Sequence, residues 1–121
     1  MTIQRLRRVP GRFLVEHLPH ATLPEDDEWI ALVRAPEGLT VVREAAPFAA
    51  GERWAGFYGD SPHGLDTPGM LAALVGPLAD AGISVFVAST YHADLVLVPE
   101  HRAEDAAGVL AAVGHRVIES A

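Results

Sequence analysis

The clearest hydrophobic pattern lies in the second half of the chain, where it predicts a helix from about residue 68 to residue 81. We expect Thr67 as its N-cap and Pro68 at its first position, where the missing N–H does no harm. Gly82 is expected to end the helix, and Pro77 should kink its last turn. Apolar residues recur at the i, i+3, i+4, i+7 spacing of one buried helical face: Leu71, Leu74, Val75 and Leu78.

Strand patterns flank this helix, and a second helix follows. The aromatic segment 54–58 reads as a strand before the first helix. Residues 83–90 are rich in β-branched side chains, and residues 95–98 form a second apolar run. Residues 102–113 show an apolar helical stripe followed by a C-cap glycine, and 116–118 reads as a short strand. The predicted order is β-α-β-β-α-β, an α+β fold of the ferredoxin-like type.

The first half of the chain shows only strand patterns. Residues 12–18, 29–35 and 39–45 read as three strands, with a tight turn between the last two. They are consistent with a degenerate copy of the second half that has lost its helices. We therefore expect a β-rich half at 1–50 and a ferredoxin-like domain at 51–121.

Composition and charge exclude several classes of protein. The chain has 121 residues, no cysteine and a net charge of −7. Disulfides and thiolate chemistry are therefore excluded, and a protein that grips nucleic-acid phosphates is not expected. Four of the nine basic residues crowd the N-terminus, where we expect a solvated, partly frayed start. These residues are Arg5, Arg7, Arg8 and Arg12.

The longest uncharged run does not predict a membrane segment. It has thirteen residues and occurs twice, at 67–79 and at 81–93, where Asp80 and Asp94 end it well short of the ~20 apolar residues that a membrane helix needs. No long apolar run follows the N-terminal arginines either, so a secretory signal is not indicated. The sequence predicts a soluble, cytoplasmic protein that does not bind membranes.

Polar residues interrupt the apolar pattern at two places that can form a binding site. One is "STYHAD" at residues 89–94, between the two predicted strands, and the other is "LDTPGM" at residues 65–70, before the first helix. A zwitterionic ligand needs donors for its carboxylate, and the N–H groups of a helix start supply them. A carboxylate in either segment can accept its ammonium group. The candidate ligand residues are Asp66, Thr67, Gly69, Met70, Ser89, Thr90, His92 and Asp94.

Each of these residues also has a purely structural interpretation. Asp66 or Thr67 can simply cap the helix, and Ser89 and Thr90 can bond the backbone at a strand end. Asp94 can hold a hairpin turn through an Asx-type hydrogen bond.

Histidine content raises an enzymatic alternative. His92 and Asp94 are spaced i, i+2, and His63 can lie near them, so a metal site is conceivable. No ligand-spaced metal motif, nucleophile elbow or phosphate-binding loop supports catalysis. We therefore expect no enzyme, no metal and no cofactor, and we keep a small His/Asp metal-dependent enzyme only as an alternative.

The segment "GMLAALVGPLADAGISVFVASTYHADLVLVP" resembles small bacterial ACT-domain proteins related to the arginine-sensing CASTOR proteins. The resemblance is carried by the glycine-led helix start, by "PLADAGISVF", and by "STY" followed three residues later by an aspartate and an apolar strand. It is strong from about Glu52 to His115 and weaker over the first fifty residues. It implies a regulatory domain that binds a small molecule, commonly a free amino acid, at an interface between ACT units.

Two residues depart from the family pattern where a ligand would lie. Pro68 replaces a hydroxyl residue before the helix-start glycine, and Ala93 replaces a threonine before the aspartate. They favour the second hypothesis, a structural or protein-interaction domain whose ligand site has decayed. Under either hypothesis we expect a homodimer, because sheet edges in this fold are open to pairing.

Overall fold

The structure is a computed structural model that describes residues 3–19, 29–59 and 68–119. The described residues form a mixed α+β fold with one eight-stranded sheet and two helices. The first half contributes β1 (Arg5–Arg8), β2 (Phe13–Leu18), β3 (Trp29–Ala35) and β4 (Gly38–Glu44). The second half contributes β5 (Trp54–Gly59), α1 (Ala72–Asp80), β6 (Phe86–Ser89), β7 (Asp94–Pro99), a 3₁₀ turn (Glu100–Arg102), α2 (Ala103–Ala112) and β8 (Arg116–Ile118).

The order β-α-β-β-α-β predicted for the second half is confirmed. The strands β2, β3, β4 and β8 also form where their patterns predicted them. Between β3 and β4 the chain turns at Gly38, whose φ of 132° is open to glycine but rarely to other residues. A Cβ there would lie 2.2 Å from the Leu18 carbonyl oxygen, so this turn requires glycine.

The expected frayed N-terminus is wrong. Residues Arg5–Arg8 form β1, which lies inside the sheet, antiparallel to β5 and parallel to β8. Leu6 is fully buried, whereas Arg5 and Arg7 are exposed. The charged residues did not indicate a strand, because only one side chain, that of Leu6, is apolar. Strand alternation places Leu6 in the core and the neighbouring Arg5 and Arg7 on the opposite face.

The β1 strand separates the first and last strands of the second half. The order across this part of the sheet is β6-β7-β5-β1-β8. The same edge of β5 that pairs with β1 also pairs with β2, through Phe13↔Trp54. From β2 the sheet continues to β4 and then to β3. The first half therefore completes the sheet of the second half.

Two further predicted boundaries are wrong. The first helix begins at Ala72 and not at residue 68, because Gly69 has a φ of 81°, which a right-handed helix cannot contain. The strand predicted for 83–90 covers only Phe86–Ser89. Ile83 is buried, but its N–H bonds to the Leu78 carbonyl, so it belongs to the end of the helix. The predicted N-cap Thr67 lies outside the described residues.

Apolar side chains fill both faces of the sheet. On the face that carries the helices, which we call the helical face, strand residues such as Phe57 and Val96 pack against Leu74 and Leu110. On the opposite face, Phe13 and Val42 from the first half pack with Leu97. The Phe13 ring approaches so closely that a Cβ at Gly56 would lie 3.2 Å from it. No helix of the described residues is long and apolar enough to cross a membrane.

Candidate functional site

Ser89 and Asp94 form a close pair at the end of the β6–β7 hairpin. They lie directly opposite each other in the strand register, and the Ser89 hydroxyl donates a hydrogen bond of 2.6 Å to Asp94 Oδ1. Asp94 is only 5% exposed, although Ser89 is exposed. Asp94 alternates with the core residues Val96 and Val98, so its side chain lies on the helical face. A carboxylate is thus buried at one end of the sheet, with a hydroxyl beside it.

Across the strands of the helical face, the residue next to Asp94 is Gly59. The register of β5 with β7 continues from Tyr58↔Leu95 to place Gly59 beside Asp94, and the register of β1 pairs Leu6 with Gly59. A Cβ at Gly59 would lie 3.4 Å from the Ala93 Cβ, which is an ordinary contact distance. The row therefore carries no side chain between the carboxylate of Asp94 and the side chain of Leu6.

Thr90 holds the hairpin turn. Its N–H donates to the Ala93 carbonyl over 2.7 Å, and its Oγ1 lies 3.1 Å from the Ala93 nitrogen. The same Oγ1 lies 3.1 Å from the hydroxyl of Tyr58, whose side chain alternates with that of Phe57 and so lies on the face opposite the helices. The Thr90 hydroxyl is therefore used by the turn and by Tyr58, away from the Ser89–Asp94 pair.

His92 lies at the exposed tip of the hairpin. Its ring packs edge-to-face on Tyr91, with 4.8 Å between centroids and an interplanar angle of 75°. Tyr91 is itself 70% exposed. Both aromatic side chains are thus available at the surface beside the Ser89–Asp94 pair.

The helix start contributes backbone donors. The N–H groups of residues 73–75 bond to the carbonyls of Gly69 and Leu71, so the first turn is closed. By contrast, the N–H groups of residues 69–72 have no backbone acceptor among the described residues. Free N–H groups at a helix start favour an anion. Gly69 and Met70 belong to this segment as predicted, whereas Asp66 and Thr67 lie outside the described residues.

A buried polar network supports the helix start. The Gln4 side-chain amide donates 2.7 Å to the Met70 carbonyl, and the Gln4 backbone N–H donates 3.0 Å to Nδ1 of His115. The other ring nitrogen of His115, Nε2, lies 2.7 Å from the Ala73 carbonyl. Gln4 and His115 are each only 3% exposed. Together they connect β1 and the start of β8 to the first residues of α1.

The hydrogen-bond pattern assigns the tautomer of His115. Nδ1 accepts from a backbone N–H, so it carries no proton, and Nε2 must carry the proton to donate to a carbonyl. The ring is therefore neutral, with one donor and one acceptor both satisfied. This arrangement stabilises a buried imidazole without an ionic partner.

The two predicted segments lie at the same end of the sheet. Asp94 on β7 is separated from Gln4, the residue before β1, by two strand spacings and by the two-residue offset between Gln4 and Leu6, which together correspond to about 12 Å. Ser89 meets Asp94, and Met70 meets Gln4, but no hydrogen bond between described residues joins the two pairs. A ligand that contacts both segments would span this gap.

Sequence reasoning missed Gln4 and His115 as residues of this region. The alternation from Gln4 to Arg7, with Leu6 between two arginines, is the signal that predicts a strand and places Gln4 on the buried face. The position of His115 between Gly114 and the predicted last strand also marked the entry to the sheet. Their partners on α1 are more than forty residues away in the chain, so no local pattern indicated the network.

Ion pairs occupy the other end of β1. Arg8 donates to Glu104 on α2 over 2.8 Å and to Glu119 over 3.1 Å. The hydrogen bond from Arg8, together with its charge, holds the pKa of the Glu104 carboxyl below its usual value, and the bond to Glu104 raises the pKa of Arg8. Arg8 also lies over the Phe57 ring, with its guanidinium carbon 5.8 Å from the centroid. Arg8, Glu104 and Glu119 line a shallow cavity of about 530 Å³ on the surface.

The described residues contain no cluster of three histidine, aspartate or glutamate side chains placed to hold a metal ion. His63, which the metal hypothesis required, lies outside them.

The family of the chain follows from its sequence and its fold. The family model of the ACT domain matches residues 49–112, more than half of the chain. The protein belongs to the ACT-domain family, whose members are typically regulatory modules that bind small molecules. No curated protein matches the sequence significantly.

Two solved structures share this fold. Protein Atu0741 from Agobacterium tumefaciens has a TM-score of 0.85 and 22% identity, covering 100% of this chain and 96% of its own. Protein VC0802 from Vibrio cholerae has a TM-score of 0.73 and 27% identity, covering 87% of this chain and 85% of its own. The latter is described as a protein of unknown function and a possible transport protein. Both similarities extend over the β-rich first half as well as the ACT domain.

Proposed function

We propose that this protein is a non-catalytic regulatory module that binds a free amino acid at an interface between ACT units. The proposed ligand residues are Asp66, Thr67, Gly69, Met70, Ser89, Thr90, His92 and Asp94. The observation that carries the proposal is the buried Asp94 carboxylate, which lies beside Ser89 at the same end of the sheet as the helix start. A carboxylate and the N–H groups of a helix start at one sheet end match the two charges of a zwitterion.

The first half of the chain has a defined part in this proposal. We treat residues 1–50 as a degenerate ACT-like half and residues 51–121 as the ACT domain that carries both ligand segments. In support of this, β1 contributes Gln4 to the helix start, while β2 and β4 pack on the opposite face through Phe13 and Val42. The half then stabilises the binding domain and leaves the Ser89–Asp94 pair and the helix start on the helical face.

Thermal unfolding against the twenty amino acids, each at millimolar concentration, tests the proposal. A ligand at one hundred times its dissociation constant adds about 2.7 kcal/mol to the unfolding free energy. For a chain of this length the midpoint then rises by several degrees. A stabilising amino acid would identify the ligand, whereas twenty null results would reject amino-acid binding.

A matched pair of variants tests the site. We expect Asp94→Asn to abolish the thermal shift, because the amide keeps the shape and an acceptor for Ser89 but loses the charge that binds an ammonium group. Asp80→Asn is the control, since Asp80 is exposed at the end of α1. If Asp94→Asn retains the full shift, the site assignment is wrong.

We further propose that the protein forms a homodimer through β6. Among the described residues, β6 pairs only with β7, and the sequence "FVAS" of β6 carries no charge. Such an edge offers free backbone groups to the same edge of a second copy. The Ser89–Asp94 pair lies at the end of this edge, so an interface here would border the ligand site.

The strand register identifies a variant that tests this dimer. Thr90 bonds to Ala93, so in a regular ladder Ala88 and Phe86 also bond towards β7, while the N–H of Val87 is directed outwards. Val87→Pro should therefore leave the ladder with β7 intact but disrupt pairing with a second copy. Sedimentation would show a dimer for the wild type and a monomer for Val87→Pro. A wild-type monomer, or a dimeric variant, would exclude this interface.

A structural or protein-interaction domain is the second candidate. The observation that favours it is that Asp94 already accepts a hydrogen bond from Ser89 within the protein. Ala93, which replaces the family threonine, is also buried, so it offers no polar group to a ligand. Absence of any thermal shift in the amino-acid screen would favour this second candidate.

A further inference from the structure

The network of Gln4 and His115 controls a segment to which the proposed function assigns ligand contacts. Gln4 bonds to the Met70 carbonyl, and His115 bonds to the Ala73 carbonyl. A third hydrogen bond joins Gln4 to His115. The two carbonyls flank Leu71 and Ala72, whose N–H groups have no backbone acceptor among the described residues. Holding the two carbonyls fixes the peptide planes on both sides of these donors.

The conformation of this segment is not maintained by the helix alone. Gly69 has a φ of 81°. A Cβ built on it would meet no atom within 4 Å, so no neighbouring group packs against this side of Gly69 and restrains it. Glycine also loses more conformational freedom on ordering than any other residue. The contacts of Gln4 and His115 therefore supply a restraint that the local sequence lacks.

We propose that Gln4 and His115 are positioning residues, which hold residues 69–73 so that the N–H groups of residues 69–72 are directed at a ligand. The Gln4 backbone N–H donates to Nδ1 of His115, so the two residues also hold each other in place. The proposal rests on the proposed function for the role of residues 69–72 as ligand donors. The positioning itself is measurable without a ligand.

His115 is held by hydrogen bonds to three different segments of the chain. The β1 strand presents Gln4, α1 presents the Ala73 carbonyl, and α2 presents the Leu110 carbonyl, which accepts from the His115 backbone N–H. Within the described residues no carboxylate forms an ion pair with the ring, and the adjacent Arg116 side chain is exposed. Hydrogen bonds to neutral groups therefore hold the ring in place.

Amide hydrogen exchange of the ligand-free protein tests the proposal. The probes are the N–H groups of Ala73, Leu74 and Val75, whose acceptors are the carbonyls of Gly69 and Leu71. We compare the wild type with His115→Gln, whose amide nitrogen can still donate to the Ala73 carbonyl, and with His115→Leu, which cannot. Exposed His101→Leu serves as the control.

We expect His115→Leu to lower the protection factors of these three amides by about tenfold or more compared with the wild type. The physical reason is that the leucine leaves the buried hydrogen-bond partners of His115 unsatisfied. His115→Gln should recover most of the protection.

Three results would overturn the proposal. They are unchanged exchange in His115→Leu, an equal loss in His115→Gln, and an equal acceleration at the amide of Val113, which bonds to the Val109 carbonyl of α2, since that would indicate global destabilisation. Failure of the proposed function gives a different signature, namely the expected exchange pattern without a thermal shift from any of the twenty amino acids.

Discussion

The two ends of β1 bear polar groups of opposite kinds. At its start, Gln4 is buried and its hydrogen bonds are to neutral groups, including His115. At its end, Arg8 pairs with Glu104 and Glu119, whose side chains are 83% and 73% exposed. The strand β1 and the residue before it thus join a buried hydrogen-bonded network to an ion-pair cluster whose carboxylates are exposed.

The difference teaches which contacts determine geometry in this molecule. A buried donor or acceptor that loses its partner costs about 1–3 kcal/mol, because water cannot replace the partner. An exposed ion pair is worth about 0–1 kcal/mol, because water and salt screen it. The Gln4 end should therefore hold one arrangement, whereas the Arg8 end should tolerate substitution.

The largest effect is expected at the buried end. Gln4→Leu keeps the volume of the side chain but leaves the Met70 carbonyl without its donor. We expect it to lower the free energy of unfolding by about 1–3 kcal/mol. Urea unfolding would measure the change as a lower midpoint with an unchanged slope. A loss below about 0.5 kcal/mol would show that this hydrogen bond does not distinguish the two ends.

A smaller effect is expected from Arg8→Met. This variant removes both ion pairs but retains an unbranched apolar stem over the Phe57 ring. We expect a loss of less than about 1 kcal/mol under the same urea conditions. If Arg8→Met proves as costly as Gln4→Leu, the contrast between the two ends of β1 fails.

The smallest effect concerns pH and salt at Glu104. Because Arg8 holds the pKa of this carboxyl below its usual value, its contribution to stability is present at neutral pH and is lost as the pH falls through the acidic range. Thermal unfolding of the wild type and of Glu104→Gln should therefore differ slightly at neutral pH and converge in acid. About 1 M salt should also reduce the difference. A difference that persists in acid or in high salt would contradict this origin.

Local patterns in the sequence predicted many of the strands and helices. The four strands β2, β3, β4 and β8 and the helix α2 were predictable because their spacing of apolar residues reports burial on one side of the chain. The start of α1 was not, since Thr67 and Pro68 made a plausible cap while Gly69 adopts a conformation outside the helix. A cap pattern predicts that a helix can begin at a position, but the backbone angles decide whether it does.

The candidate site was predictable only in part. The hairpin position of Ser89 and Asp94 follows from two adjacent strands with a polar break between them, and the structure pairs these two side chains. Thr90 stood beside them in the sequence, yet its hydroxyl bonds within the turn and to Tyr58. Neighbours in sequence diverge here because successive residues at a strand end lie on opposite faces.

The sequence alone determined most of the segments that become strands and helices, β1 excepted, because helical and strand periodicities arise from the chain's own geometry. Only the tertiary structure decided that β1 lies between β5 and β8 and that Gln4 and His115 meet the start of α1. Those contacts join residues up to 111 positions apart. Their formation depends on the complementarity of distant surfaces and on the loop entropy lost in joining them, which no local pattern records.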